Sequence, residues 1–155
     1  MIQNWHKYQQ LTSSERWQIL CTIGLIGAMK LGLRSPGFNR LMRLLLKFAT
    51  ADIAHAPDRS AAVEHARHTE RVIAIAARYG PFSPSCLERS LLLWWLLRRA
   101  EIDSQLRIGV RKEPGRFVAH AWVEYDRMVL NDRPDVGTHY AAFEGAIDIG
   151  GNAFR

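Results

Sequence analysis

Residues 82–97 read Phe82-Ser83-Pro84-Ser85-Cys86-Leu87-Glu88-Arg89-Ser90-Leu91-Leu92-Leu93-Trp94-Trp95-Leu96-Leu97, and this stretch decides the fold. Ser85 and Glu88 have the spacing of a capping box, in which the N-cap hydroxyl accepts from the N3 amide and the N3 carboxylate accepts from the N-cap amide. The helix therefore begins at Cys86. It is apolar almost all round, and a helix with no polar face belongs at the centre of a fold. Gly80-Pro81 closes whatever precedes it. Phe82 to Ser85 is then a short, rigid loop that feeds the central helix, which ends near Ala100.

Upstream, the pattern is helical. Thr12-Ser13-Ser14-Glu15 offers another capping box, with Thr12 at the N-cap, ahead of Trp17, Ile19 and Leu20. Ser35-Pro36-Gly37 stops that helix near Leu33. Phe38 to Ala49 predicts a shorter helix with Leu41, Leu44, Leu45 and Phe48 on one face and Arg40, Arg43 and Lys47 elsewhere. Ala51 to Asp58 reads as a linker. Ser60 to Tyr79 predicts a third helix, with Val63, Ile73 and several alanines on its packed side.

Downstream the period changes to two. Gln105 to Lys112 alternates Leu106, Ile108 and Val110 with polar neighbours, as a half-buried strand does. Glu113-Pro114-Gly115 is a turn, Arg116 to Tyr125 a second strand, Tyr125-Asp126-Arg127 another turn, and Met128-Val129-Leu130 a short third strand. From Arg133 to Arg155 the pattern is weak. Helices followed by an antiparallel meander make an α+β fold, with the central helix against one face of a small sheet. Its 155 residues suit one domain, with 1–50 a helical N-terminal extension and 60–155 the core.

The hydrophobic fraction of 48% and charged fraction of 23% are those of a folded globular chain. A net charge of +6 favours acidic partners without choosing among peptide, nucleic acid and membrane surface. The cations form no run of five or six, which argues against nucleic acid. Cys21 lies in an apolar run and Cys86 follows a Pro-Ser step; such different settings argue against a structural disulfide and for a reducing cytoplasm. Met1 to Gln18 has no signal-peptide core. Ile19 to Leu33 carries Thr22, Lys30 and three glycines and falls short of the ~18–20 residues a membrane span needs. It reads as a buried or partner-facing helix.

Three residues could carry chemistry. Cys86 occupies the first helical position, where uncommitted N–H groups and the positive end of the helix dipole favour a thiolate and could hold an oxyanion. An inert cysteine packing as a small apolar residue is the alternative. His120 lies mid-strand between Ala119 and Ala121, which leave room for something to approach. By alternation it shares a face with Trp122 and Glu124; the alternative is a histidine bonded in the core. Asp132 follows the short third strand. With a two-residue loop at Asp126-Arg127, residue 121 opposes 132 and Asp132 faces away from His120. A three-residue loop, a bulge or an irregular strand end brings the two together. Asp135 and Asn131 are the fallbacks. A cysteine with a histidine base and a third group fixing the imidazole tautomer is the arrangement of nucleophilic acyl chemistry.

The chain order Cys, His, Asp resembles the transglutaminase-like branch of papain-type folds. The blocks Cys86-Leu87-Glu88-Arg89-Ser90-Leu91, Leu106-Arg107-Ile108-Gly109-Val110-Arg111 and His120-Ala121-Trp122-Val123-Glu124 resemble the bacterial lasso-peptide B2 proteins. These are similar to the C-terminal part of the microcin J25 processing protein. The Leu-rich N-terminal helices extend the resemblance over most of the chain. It implies a papain/transglutaminase-like cysteine protease fold and a peptidase that removes the leader from a ribosomally made precursor. By resemblance, Cys86, His120 and Asp132 form the triad. The implied partners are the precursor leader, a separate leader-recognition B1 protein and an ATP-dependent macrolactam cyclase; no cofactor is implied. Papain-type enzymes often carry a glutamine shortly before the cysteine as an oxyanion donor. Pro81 to Ser85 has none, so backbone, Ser83 or Ser85 would have to serve.

Trp122 is the candidate cleft-lining residue beside Ser85, while Trp94 and Trp95 read as core. His65 and His68, three apart with Glu64 on a polar helix face, read as solvated rather than as metal ligands. Two other functions fit the same residues: acyl transfer to an amine by the same triad, and a non-catalytic scaffold subunit that kept the fold.

Overall fold

The computed structural model describes residues 13–35, 37–49 and 57–143. Four helices lead: α1 (Ser13–Arg34), α2 (Phe38–Phe48), α3 (Arg59–Tyr79) and α4 (Cys86–Arg99). Then come β1 (Gln105–Glu113), β2 (Arg116–Tyr125), β3 (Met128–Val129), the single turn α5 (Val136–His139) and β4 (Ala141–Ala142). The expected α+β architecture is present: N-terminal helices packed against a small antiparallel sheet of order β3-β2-β1-β4. Thr12, the expected first N-cap, and most of the expected linker lie outside the described residues.

The central helix is α4. Leu91, Leu92, Leu93, Trp94, Trp95 and Leu97 are all buried, which uses its apolar circumference on every side. It packs on α1, α2, α3, β1 and β2. Trp95 Nε1 donates to the Leu45 carbonyl of α2 at 3.1 Å, so the one polar atom of that ring is satisfied inside the core. The sheet face toward α4 carries Leu106 and Val123, register partners in the core.

The two hairpin turns follow from local chemistry. Pro114-Gly115 links β1 to β2, and Gly115 takes φ 78°, which a residue with a side chain rarely adopts. Asp126 and Arg127 link β2 to β3 with φ 47° and 63°, the signs of a two-residue I′ turn. Tyr125 therefore opposes Met128, and Glu124 opposes Val129.

One sequence expectation needs correction. Leu44 and Phe48 of α2 do not pack with Leu41 and Leu45. They lie exposed on the face of Arg40, Arg43 and Lys47, while Met42 takes the inner position. Counting apolar residues on a wheel gave a stripe too wide for the groove that α2 fills. The stretch after Arg133, weak in pattern, forms α5 and then β4, which extends the sheet beyond β1.

Candidate active site

The loop before α4 is held from both ends. Ser85 Oγ accepts from Glu88 N–H at 3.2 Å, and Glu88 Oε2 accepts from Ser85 N–H at 2.7 Å, completing the capping box. Behind it, the loop rests on α1. Lys30 Nζ donates to the Ser83 carbonyl at 3.2 Å, and the Phe82 ring lies so close to Gly27 that a Cβ there would stand 3.0 Å from it. Cys86 is thus a half-buried free thiol at the first position of a fixed helix. Among the described residues, the N–H groups of Cys86 and Leu87 have no protein acceptor and are available to an incoming oxygen.

His120 stands opposite Gly109 of β1, on the sheet face turned away from the core. Its Nε2 lies 2.5 Å from Asp132 Oδ2, and both side chains are about four-fifths buried, at 20% and 24% exposure. Pairing with a carboxylate makes Nε2 the protonated nitrogen and leaves Nδ1 for a second partner. Two aromatic rings pack against the imidazole and against each other. Tyr140 stacks on it at 4.9 Å between centroids, and Trp122 lies at 6.3 Å nearly parallel. Trp122 is itself buried and fixed, its Nε1 donating to Glu124 Oε1 at 2.7 Å while Arg107 Nε holds the other carboxylate oxygen at 3.1 Å. Trp122 thus stands beside the imidazole on the same strand face, 1% exposed. Gly109 makes this stack possible: a Cβ there would meet Trp122, Tyr140 and the Ala141 carbonyl, each at 3.0 Å.

Asp132 reaches His120 although the turn is the two-residue one. The ladder is cut short by a side chain. Leu130 N–H donates to the Val123 carbonyl at 2.9 Å, as a regular strand would, but Val123 N–H donates to Asn131 Oδ1 at 2.8 Å. The amide side chain takes the place of the Leu130 carbonyl. The chain leaves the ladder one residue early, and Asp132 swings to the His120 side. This is the irregular strand end, not the odd loop or bulge. Asn131 is thereby assigned to the backbone of β2, and Asp135 pairs with Arg133 and His139 instead.

A pocket of about 260 Å³ opens beside the pair, lined by Arg111, His120, Asp132, Arg133, Val136, His139 and Tyr140. Cys86 is not in its lining, and no hydrogen bond joins the thiol to the imidazole. The structure brings His120 and Asp132 together and sets Cys86 on the helix packed against the same strand. His65 and His68 are exposed, with His68 near Gln18 at 3.3 Å. Among the described residues no group of three or more His, Cys, Asp or Glu side chains could hold a metal ion, and no helix is long and apolar enough to cross a membrane.

Sequence reasoning missed Tyr140, Gly109 and the packing of the loop on α1. Gly109 stood in a strand interior, where glycine weakens pairing and often marks a close approach, so its signal was available. Tyr140 had none, because it lies between the single turn α5 and the two-residue β4, neither of which has a pattern to read.

The helix-capped cysteine, the His–Asp pair on a meander and the α+β layering match a known class. Residues 32–144 match the family model described as the Transglutaminase-like superfamily, and the chain belongs to that family. Over 55 residues it is 42% identical to the microcin J25-processing protein McjB of Escherichia coli, a stretch covering 36% of this chain and 26% of that protein. The chain thus matches about a quarter of that relative's length. No solved structure matches it.

Proposed function

We propose that this chain is a cysteine peptidase that removes the leader from a ribosomally made lasso-peptide precursor. The observation that carries the reading is the His120–Asp132 hydrogen bond through Nε2, on a strand packed against the helix that begins with Cys86. With Nε2 committed, Nδ1 is the nitrogen that would exchange a proton with the thiol. Kinship to a protein named for microcin J25 processing supports the substrate class.

In this reading the Cys86 thiolate attacks the scissile carbonyl, and the N–H groups of Cys86 and Leu87 hold the oxyanion. The imidazolium of His120 gives its proton to the leaving amine as the C–N bond breaks, leaving a thioester on Cys86. His120 then takes a proton from water as its oxygen attacks the thioester. The acid departs and the thiol is restored. Asp132 holds the tautomer and stabilises the imidazolium. This chemistry requires the thiol and imidazole to come within hydrogen-bond reach when peptide binds, as catalytic contacts that are long in a free enzyme often do. A leader-recognition B1 protein would bring the precursor, and an ATP-dependent macrolactam cyclase would act on the product.

The test incubates the protein with a precursor and its recognition protein, following peptide mass beside Cys86→Ala. Free leader that forms only with Cys86 present is the expected result. A mass gain on the peptide would instead mean acyl transfer to an amine. Unchanged precursor across several cognate pairs, with the recognition protein bound, would leave the scaffold role.

A further inference from the structure

Ser90 is wholly buried in the middle of an otherwise apolar helix, and a hydroxyl there has to be bonded or costs stability. It is bonded twice. Ser90 Oγ donates to the Ala121 carbonyl at 2.8 Å, and Asn131 Nδ2 donates to Ser90 Oγ at 2.8 Å. Asn131 Oδ1 then accepts from Val123 N–H, also at 2.8 Å. The sheet explains why these bonds exist. Ile108, the register partner of Ala121, accepts from Phe143 on its far side, so the Ala121 and Val123 polar groups point away from β1. On that side β3 pairs only with Glu124 and Tyr125. Two side chains finish the edge of β2 where a strand would otherwise be needed.

The position of this network matters more than its bond count. Ser90 lies one helical turn from Cys86 on the same face of α4. Its first partner, Ala121, is the neighbour of His120. Its second, Asn131, is the neighbour of Asp132. One hydroxyl thus ties the helix of the thiol to both members of the His–Asp pair. The other buried side chains of α4 are leucine and tryptophan, and their hydrogen bond, from Trp95 to Leu45, goes to α2 and not to the sheet, so Ser90 supplies the directional contact that fixes α4 along β2.

We propose that Ser90 and Asn131 are positioning residues that set the register of Cys86 against His120 and Asp132. The proposal rests on the peptidase reading for its kinetic readout but not for its chemical one. Ser90 is wholly buried and both ends of the Asn131 amide are bonded within the protein, so removing the network should lower kcat and spare KM.

The test compares Ser90→Ala, Asn131→Ala and the hydroxyl-retaining Ser90→Thr. Two readouts apply: leader cleavage, and the rate of Cys86 alkylation by iodoacetamide with and without His120→Ala, read by peptide mass so that Cys21 is scored separately. The expected result is a kcat loss of roughly a hundredfold for Ser90→Ala with KM changed by less than about threefold. His120 should no longer influence Cys86 alkylation, and Ser90→Thr should recover most of both. A folded Ser90→Ala with normal kcat and the wild-type His120 dependence would overturn the proposal. So would a Ser90→Thr that behaves like Ser90→Ala. If Ser90→Ala unfolds, Asn131→Ala and Ser90→Thr decide by the same criteria. If wild type cleaves no precursor, the peptidase reading fails, and the alkylation readout still decides the positioning role.

Discussion

Gly109→Ala should loosen the imidazole while leaving the rest of the fold in place. The new Cβ would stand 3.0 Å from three atoms at once: a ring carbon of Trp122, the Tyr140 Cβ and the Ala141 carbonyl oxygen. Ordinary contact between carbon atoms is about 3.5–4.0 Å, so about half an ångström has to be found on each side. Trp122 cannot give, because it is 1% exposed and bonded to Glu124. Tyr140 and Ala141 can, because β4 is two residues long and its residues are largely exposed. The strain therefore goes into lifting β4, and Tyr140 moves off His120. Overpacking costs about 1–3 kcal/mol. Replacing a strand glycine returns roughly 0.5–1 kcal/mol through the unfolded chain. The net loss is about 1 kcal/mol, a fall in Tm of about 2–4 °C for a chain of this size. Thermal unfolding should show that small fall, the His120 ring signals should shift in NMR spectra, and leader cleavage should drop roughly tenfold. A variant as stable as wild type, with unshifted His120 signals and full cleavage, would refute the reasoning that Gly109 is kept bare for the stack.

Three further outcomes are expected. If the proposed peptidase reading holds, Asp132→Asn should leave the fold and KM nearly unchanged while cleavage falls about 10²- to 10⁴-fold, because the amide fixes the wrong tautomer and cannot stabilise an imidazolium; steady-state kinetics would check this, and near-normal kcat would remove Asp132 from the proposed triad. Ser85→Ala should cost about 1 kcal/mol of stability by chemical denaturation, through loss of the N-cap bond to Glu88, and should slow Cys86 alkylation as the first turn frays. Burial raises the Glu70 carboxyl above its ordinary value, against the opposing pull of Arg89 and Arg71. The folded protein then binds this proton more tightly than the unfolded chain, so the site costs stability above its folded pKa and the cost fades as pH falls toward the ordinary range near about pH 4. Glu70→Gln should therefore melt higher than wild type at neutral pH, with the gap closing on acidification; a gap that stays constant would contradict the assignment.

Alternation placed His120, Trp122 and Glu124 on one face, and that face is where they stand, joined by the Trp122–Glu124 hydrogen bond. The outward face of α2 was not legible. Leu44 and Phe48 are apolar and correctly spaced, but helix periodicity does not say how wide a groove the neighbouring helices leave.

The sequence by itself determined what is local. The Ser85–Glu88 box starts α4 at Cys86, Pro114-Gly115 and Asp126-Arg127 mark where the two turns fall, and the switch of period from helical to alternating divides helices from sheet. Each depends on atoms a few residues apart, whose geometry the residue types carry with them. Only the tertiary structure decided where Asp132 points. A regular ladder from that turn would have turned it away, and the outcome rests on Asn131 competing with the Leu130 carbonyl for one N–H of Val123. Tyr140 over His120 and Ser90 under Ala121 are of the same kind. They join residues 20 and 31 positions apart, and no local pattern encodes which buried polar group will find which partner until the core has closed around them.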